Sequence, residues 1–96
     1  MFMVFLKFAE NKALAPQHMQ GHNDWLQKGF VDGVFLLSGT LQPKLGGGIL
    51  AHNISLPDLQ QRVDADPFVA HRVVTAEVIE LTPSKADKRL EFVLAG

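Results

Sequence analysis

The first eight residues are almost all apolar and belong to types that favour β-strands, which predicts a strand over residues 2–8. Successive side chains of a strand point to opposite faces. The even positions and the odd positions therefore form two separate apolar sets, Phe2, Val4, Leu6 and Phe8 on one face and Met3 and Phe5 on the other. We expect both faces of this strand to be covered by other parts of the structure.

Apolar positions change to a helical period after Pro16, a residue that suits the first turn of a helix. The pattern predicts a helix that runs to about Gly29. One stripe of this helix is expected to face the core through Ala15, Met19, Leu26 and Phe30. His22 falls on the same stripe, so its imidazole is predicted to face the sheet.

The Asp32-Gly33 pair ends this helix, and two apolar runs with strand character follow it. They cover residues 34–41 and 48–54. A turn-forming segment over residues 43–47 separates them and predicts a β-hairpin.

The last third of the chain predicts two helical segments and a strand. Ser55 and Asp58 resemble a capping box at the start of a helix that is expected to bury Leu56, Leu59 and Val63. Asp66 then caps a short turn with Pro67 at its first position. A strand over residues 73–81 follows. The remaining tail ends in an apolar group, Leu90, Phe92, Val93 and Leu94, which is compatible with an extra strand.

The resulting order is β-α-β-β-α-β, an α+β ferredoxin-like arrangement with both helices on one face of a four-stranded sheet. Apolar residues predicted for the strands indicate that neither face of the sheet is wholly polar: Met3, Phe5, Leu37, Ile49 and Val78. The second face is therefore expected to need a cover too. Small domains bury a modest share of their surface, so a second copy is the simplest cover. We therefore predict a homodimer that packs sheet against sheet.

Composition narrows the functional classes. The chain has 96 residues, enough for one domain, and its hydrophobic fraction of 47% supports a core. A formal net charge of -1 gives no basic surface for nucleic acid or an anionic membrane. With no cysteine, disulfides, thiolate catalysis and cysteine metal sites are excluded. The apolar start lacks the features of a signal peptide and is too short to span a membrane, so we expect a cytoplasmic protein.

Two residues stand out as candidates for chemistry. His22 is an ionisable group on an apolar helix stripe, and Asp66 lies beside an expected core segment. Each also has a structural interpretation, as a satisfied core histidine and as a helix cap. His18 and His22 have the spacing of two metal ligands, but no zinc-type motif surrounds them, and we expect no metal. Ser38 and Gly39 interrupt an apolar run and are candidates for the wall of a cleft.

Four segments together resemble the YciI-like (YCII-related) domain family: residues 22–26, 35–39, 47–50 and 64–69. The Ala-Asp-Pro-Phe run before the last strand, at residues 65–68, is the most specific of these signals. The resemblance covers about residues 1–83 and leaves 84–96 as a C-terminal tail that could lie on a partner subunit. It implies a dimeric α+β barrel of ferredoxin-like subunits.

The resemblance also implies an active-site pair made of His22 and Asp66, with Ser38 and Gly39 beside the cleft. Trp25, Phe35 and Phe68 are then available as apolar walls for a bound molecule. The sequence departs from the family at His71-Arg72, where relatives tend to have a small residue. This departure puts two more polar side chains near the expected cleft.

Two functions follow. The first is a cofactor-free enzyme of the lyase or isomerase type, in which His22 moves a proton of a small polar cyclic or aromatic metabolite and Asp66 fixes its tautomer. The second is a non-catalytic binding or assembly module in which the pair is structural. Oxygen chemistry is a third function, supported by fold analogy alone. A His22–Asp66 contact at the wall of an open cavity favours the enzyme, and a sealed, dry pair favours the module.

Overall fold

The computed structural model describes residues 1–94. The strands are β1 (Phe2–Phe8), β2 (Phe35–Leu41), β3 (Gly46–Ala51) and β4 (Val74–Glu80). The α-helices are α1 (Ala15–Val31), α2 (Leu56–Asp64) and α3 (Pro67–Ala70), and short 3-10 helices cover Lys12–Leu14 and Lys88–Leu94. The predicted β-α-β-β-α-β order is confirmed, with α3 as the short turn that Asp66 caps.

The four strands form one antiparallel sheet in the order β2-β3-β1-β4. This order places the first strand at the centre, as the ferredoxin-like arrangement requires. Residues paired across neighbouring antiparallel strands share a face of the sheet. The register therefore states which side chains point towards the helices and which point away from them.

The face towards the helices carries the core. Phe2, Val4 and Leu6 are buried there, as the alternation predicted. Ile49 and Val78 both pair with Val4 and so belong to this face. Of the five apolar strand positions noted in the sequence, these two therefore belong to the helix-facing side.

The opposite face, here called the outer face, has an apolar row that crosses all four strands. Its members are Leu37, Leu50, Met3 and Ile79, in the order of the strands. Leu37 is 53% exposed and Ile79 is 42% exposed. The expectation that this face is not wholly polar is confirmed for Met3, Phe5 and Leu37. Large side chains in such a row are a feature of surfaces that another element or subunit covers.

The helix α1 meets the sheet along only part of the predicted stripe. His22 and Gly29 are its buried residues, whereas Met19 is 44% exposed and Phe30 is 37% exposed. Gly29 lies so close to Phe35 that a Cβ added there would come within 2.1 Å of the ring. The absence of a side chain at Gly29 thus brings the helix down onto the sheet and leaves Met19 and Phe30 at the edges of the contact.

Side-chain caps start both of the later helices. Ser55 accepts a hydrogen bond from the Asp58 N–H at 3.2 Å and begins α2. Leu59 and Val63 of this helix are buried as predicted, but Leu56 at its first turn is 44% exposed. The strand β3 ends at Ala51, before the predicted limit, because the chain must leave the sheet in time to reach the Ser55 cap.

The tail differs from the prediction. Residues Lys88–Leu94 form a 3-10 helix and not an extra strand. Phe92 contacts His52 at the end of β3 with ring centroids 5.7 Å apart. Leu90 and Phe92 are each about half exposed, at 51% and 50%. Within residues 1–94, no helix is both long enough and apolar enough to cross a membrane.

Candidate active site

His22 and Asp66, which are 44 residues apart in the chain, are joined by a hydrogen bond. The distance between His22 Nδ1 and Asp66 Oδ1 is 2.8 Å. His22 is 9% exposed and Asp66 is fully buried. The predicted contact is confirmed, and it joins the middle of α1 to the residue that begins α3.

Asp66 has two functions in the local structure. Its Oδ1 also accepts a hydrogen bond from the Phe68 N–H at 3.0 Å, which caps α3. An ionised carboxylate can only accept hydrogen bonds, so Nδ1 of His22 must carry the proton that this contact needs. In a neutral imidazole this assignment leaves Nε2 with the lone pair. The cap thus sets the tautomer of the histidine.

The ring of His22 is held flat against Phe68. Their ring centroids are 4.1 Å apart and the ring planes differ by 4°. Of the buried side-chain nitrogen and oxygen atoms in residues 1–94, only Asp66 Oδ2 lacks a hydrogen-bond partner. His22 Nε2 makes no hydrogen bond within these residues and is not among the sealed atoms, so it is the nitrogen open to a bound molecule.

A cleft of about 300 Å³ lies beside this pair, between α1 and the helix-facing side of β2 and β3. Its apolar walls are Leu6, Phe8, Met19, Leu26, Ile49, Phe68 and Val74. Its polar side chains are His22, Asn23, Ser38 and Thr40, and its floor includes the backbone of Gly46, Gly47 and Gly48. This volume is at the lower end for small-molecule sites, and the mixture of apolar walls with a few polar groups is typical of them.

Ser38 and Gly39 line the cleft as predicted, but in different ways. Ser38 pairs with Ile49 and therefore points to the helix-facing side. Gly39 pairs with Gly48, which pairs with Phe5 of the outer face, so Gly39 lines the cleft through its backbone. Both belong to the edge strand β2, where the helices leave the sheet partly uncovered.

Trp25 and Phe35 are not part of this cleft, so their prediction as walls was wrong. The Trp25 indole N–H donates to the Arg62 carbonyl oxygen at 2.8 Å and ties α1 to α2. Phe35 lies under Gly29, with its ring centroid 5.2 Å from that of Trp25. The Trp25 ring centroid is 5.8 Å from that of His22, but of the three predicted walls only Phe68 lines this cleft.

Three further residues of the cleft were not predicted from the sequence: Asn23, Thr40 and Gly47. Thr40 could have been found, because it is two positions after Ser38 in a strand and so shares its face. Gly47 pairs with Thr40 and Leu6, which both face the helices. Its position in the floor depends on the pairing of three strands, which the sequence alone does not specify.

The electrostatic environment of the cleft is nearly neutral. Its lining within residues 1–94 includes no lysine or arginine. No group of three or more histidine, aspartate or glutamate residues in this part of the chain is arranged to hold a metal ion.

Outside the cleft, Arg62 donates a hydrogen bond to Asp32 at 2.9 Å, and this hydrogen bond lowers the pKa of the Asp32 carboxyl below its usual value.

Comparison with known proteins supports the fold. No model of a known protein family matches the chain, and no curated protein sequence does so. A solved structure that is similar is 5-chloro-2-hydroxyhydroquinone dehydrochlorinase (TftG) from Burkholderia phenoliruptrix AC1100, in complex with 2,5-dihydroxybenzoquinone. The TM-score is 0.68 at 11% identity, over 88% of this chain and 96% of that one. The α+β fold predicted from the resemblance is thereby confirmed, and membership of the YciI-like family stays a prediction.

Proposed function

We propose that this chain is a small-molecule enzyme in which His22 transfers a proton and Asp66 orients and stabilises the imidazole. The observation that carries the proposal is the 2.8 Å bond from Nδ1 to a fully buried carboxylate, with His22 lining an open cleft. Of the two arrangements weighed from the sequence, this corresponds to the pair at the wall of a cavity.

The proposed reaction begins at the free nitrogen of the ring. Nε2 takes a proton from a carbon or oxygen of the substrate, and the imidazolium that forms is stabilised by the Asp66 carboxylate. In an elimination, the electron pair of the broken C–H bond forms a double bond and the leaving group departs with its own pair. In an isomerisation, Nε2 returns the proton to another atom. Lyase and isomerase chemistry therefore need the same two side chains.

The cleft supports a substrate of limited size and charge. A volume of about 300 Å³ suits a molecule with a single ring. Because no lysine or arginine of the described residues lines it, a phosphate or carboxylate would lack a cationic partner there. Ser38 and Thr40 supply hydroxyls along the edge strand opposite α1. We infer a hydroxylated, single-ring substrate without a strongly anionic group.

Binding of hydroxylated rings provides the first test. A pair of hydroxylated rings, 1,2,4-trihydroxybenzene and 5-chloro-2-hydroxyhydroquinone, would be compared with phenyl phosphate by thermal shift. We expect at least one of the two rings to raise the Tm, because a ligand that binds the native state stabilises it. For a domain of this size the rise is about 4–8 °C for each kcal/mol of stabilisation. Phenyl phosphate is expected to have no effect.

The variant Gly47→Val locates the bound ring. A Cβ at Gly47 would meet only the Gly39 carbonyl oxygen, at 3.5 Å, so the added side chain fills the floor without displacing the backbone. We expect the variant to fold and to lose the ligand-induced rise in Tm. Ala76→Val is the matched control, because Ala76 lies in the same cross-strand row but does not line the cleft. A rise that survives in Gly47→Val would place the ligand elsewhere.

We also propose that two copies of the chain pack through their outer faces. The apolar row from Leu37 to Ile79 supports this assembly, since it crosses all four strands and leaves Leu37 and Ile79 exposed at its two ends. The same row favours the second candidate function, an assembly module without catalysis. The panel above separates the enzyme from an assembly module, which has no reason to bind the rings in this cleft. Turnover separates the enzyme from a binding module, in which the His22–Asp66 pair is merely structural.

The variant Leu37→Lys is expected to produce a monomer. Light scattering of the unmodified chain at micromolar concentration should give twice the chain mass of 10.6 kDa. A lysine in the centre of an apolar interface leaves a charge without a partner, so Leu37→Lys should give the single mass. Val31→Lys is the control, because Val31 is 74% exposed at the end of α1, on the other side of the sheet. A monomeric mass for the unmodified chain would contradict the assembly.

A further inference from the structure

Two histidines outside the cleft lie face to face between α1 and the end of α3. The ring centroids of His18 and His71 are 3.9 Å apart and their planes differ by 8°. His18 is half-buried on α1, one turn before His22, and His71 is the exposed residue that ends α3. No metal accounts for this geometry, because parallel rings do not direct their nitrogens to a common point.

The stack is one of three successive contacts between α1 and α3. Next along α1 is Gly21, which lies against Pro67: a Cβ there would be 3.1 Å from the proline ring. The third is the contact of His22 with Asp66 and Phe68. The helix α3 has only four residues and depends on such contacts for its position. Loss of the His18–His71 contact at one end of the series therefore affects the position of the Asp66 carboxylate at the other end.

We propose that the His18–His71 stack is a positioning device that keeps α3 in place, so that Asp66 holds the hydrogen bond to His22. The inference rests on the proposed function only for its catalytic consequence. His71 itself touches neither the cleft lining nor the His22 ring, so it acts through α3. It is a positioning residue and not a catalytic one.

The backbone of His71 is anchored independently of its ring. The Asn11 side-chain amide donates to the His71 carbonyl oxygen at 3.0 Å, and the Asn11 N–H donates to the Arg72 carbonyl oxygen at 3.1 Å. Removing the imidazole therefore leaves the end of α3 attached to the segment before α1. An exposed side chain with an anchored backbone is suited to substitution without unfolding.

The test measures the lifetime of the His22 Nδ1 proton by NMR hydrogen exchange, without a substrate. At pH 7.5, His71→Ala is expected to exchange this proton about 3- to 10-fold faster than the unmodified chain, the range that an aromatic stack supports. His71→Phe keeps an aromatic ring and should remain within twofold.

Two controls separate positioning from general stability. His52→Ala removes a histidine that contacts only the tail residue Phe92 among the aromatic rings, and it should follow the unmodified chain. His18→Phe repeats the test from α1. Exchange in His71→Ala within twofold of the unmodified chain at pH 7.5 would overturn the proposal, as would exchange in His71→Phe as fast as in His71→Ala. Neither result depends on turnover, so the proposed reaction is tested separately.

Discussion

Replacing His22 by asparagine is expected to lower kcat by about 10²–10⁴-fold, the usual contribution of a positioned general base. The asparagine amide can still donate to the Asp66 carboxylate, so the buried charge keeps a partner. It offers no basic nitrogen where Nε2 stands beside the cleft. The measurement is the steady-state rate with whichever panel compound the unmodified chain converts fastest, together with a thermal melt to show that the variant is folded.

The variant Asp66→Asn tests the partner of the base. Because Oδ1 accepts both hydrogen bonds, the asparagine amide oxygen can take its place, but the neutral amide no longer stabilises the imidazolium that forms when Nε2 takes a proton. We expect a large fall in kcat here also, and a double variant little slower than His22→Asn alone, because residues that act as one unit do not contribute additively. Full activity in both single variants would contradict the acid–base function and leave the pair with a structural role.

The second large effect is on stability, and it comes from His22→Ala. Asp66 is fully buried, and without the imidazole its carboxylate keeps only the Phe68 N–H as a hydrogen-bond partner. Breaking a buried pair by removing one partner costs about 3–5 kcal/mol. We expect His22→Ala to lower the free energy of unfolding by that amount, measured by urea denaturation with the slope unchanged.

A double variant shows whether the buried Asp66 charge or the cavity left by the imidazole causes the loss of stability in His22→Ala. Adding Asp66→Asn to His22→Ala replaces the buried charge by a neutral amide, so part of the lost stability should return. His22→Asn is the matched single variant, and it should lose much less stability than His22→Ala. A loss below about 1 kcal/mol for His22→Ala, within the range of ordinary hydrogen bonds, would show that water reaches the Asp66 carboxylate.

The effects on kcat and on the free energy of unfolding together distinguish a catalytic pair from a structural one. A pair that served only to hold α1 against α3 would give the stability effect without the effect on kcat. A catalytic pair gives both, and His22→Asn separates them because it retains the hydrogen bond and loses the base. The low exposure of Asp66 makes this choice of variant necessary, since alanine at His22 would confuse unfolding with loss of chemistry.

The pattern of apolar and polar residues along the chain was sufficient to predict the order of the helices and strands. Phe2, Val4 and Leu6 predicted the buried face of β1, and Ser55 and Asp66 predicted the two caps. These features depend on neighbours within a few residues, where backbone geometry limits the choices. The tail had no such local signal. Its apolar residues fit a strand or a helix equally well. The tail forms a 3-10 helix, and it makes tertiary contacts such as that of Phe92 with His52.

The sequence by itself determined the set of helices and strands, the helix caps and the choice of His22 and Asp66 as the candidate active-site residues. Tertiary structure decided their environment. The close approach at Gly29 turned α1 so that His22 faces the cleft and Trp25 does not, and the register of β2 on β3 put Ser38 and Thr40 opposite it. Register and helix rotation depend on side chains distant in sequence, because both are set by packing between elements and not by the local backbone.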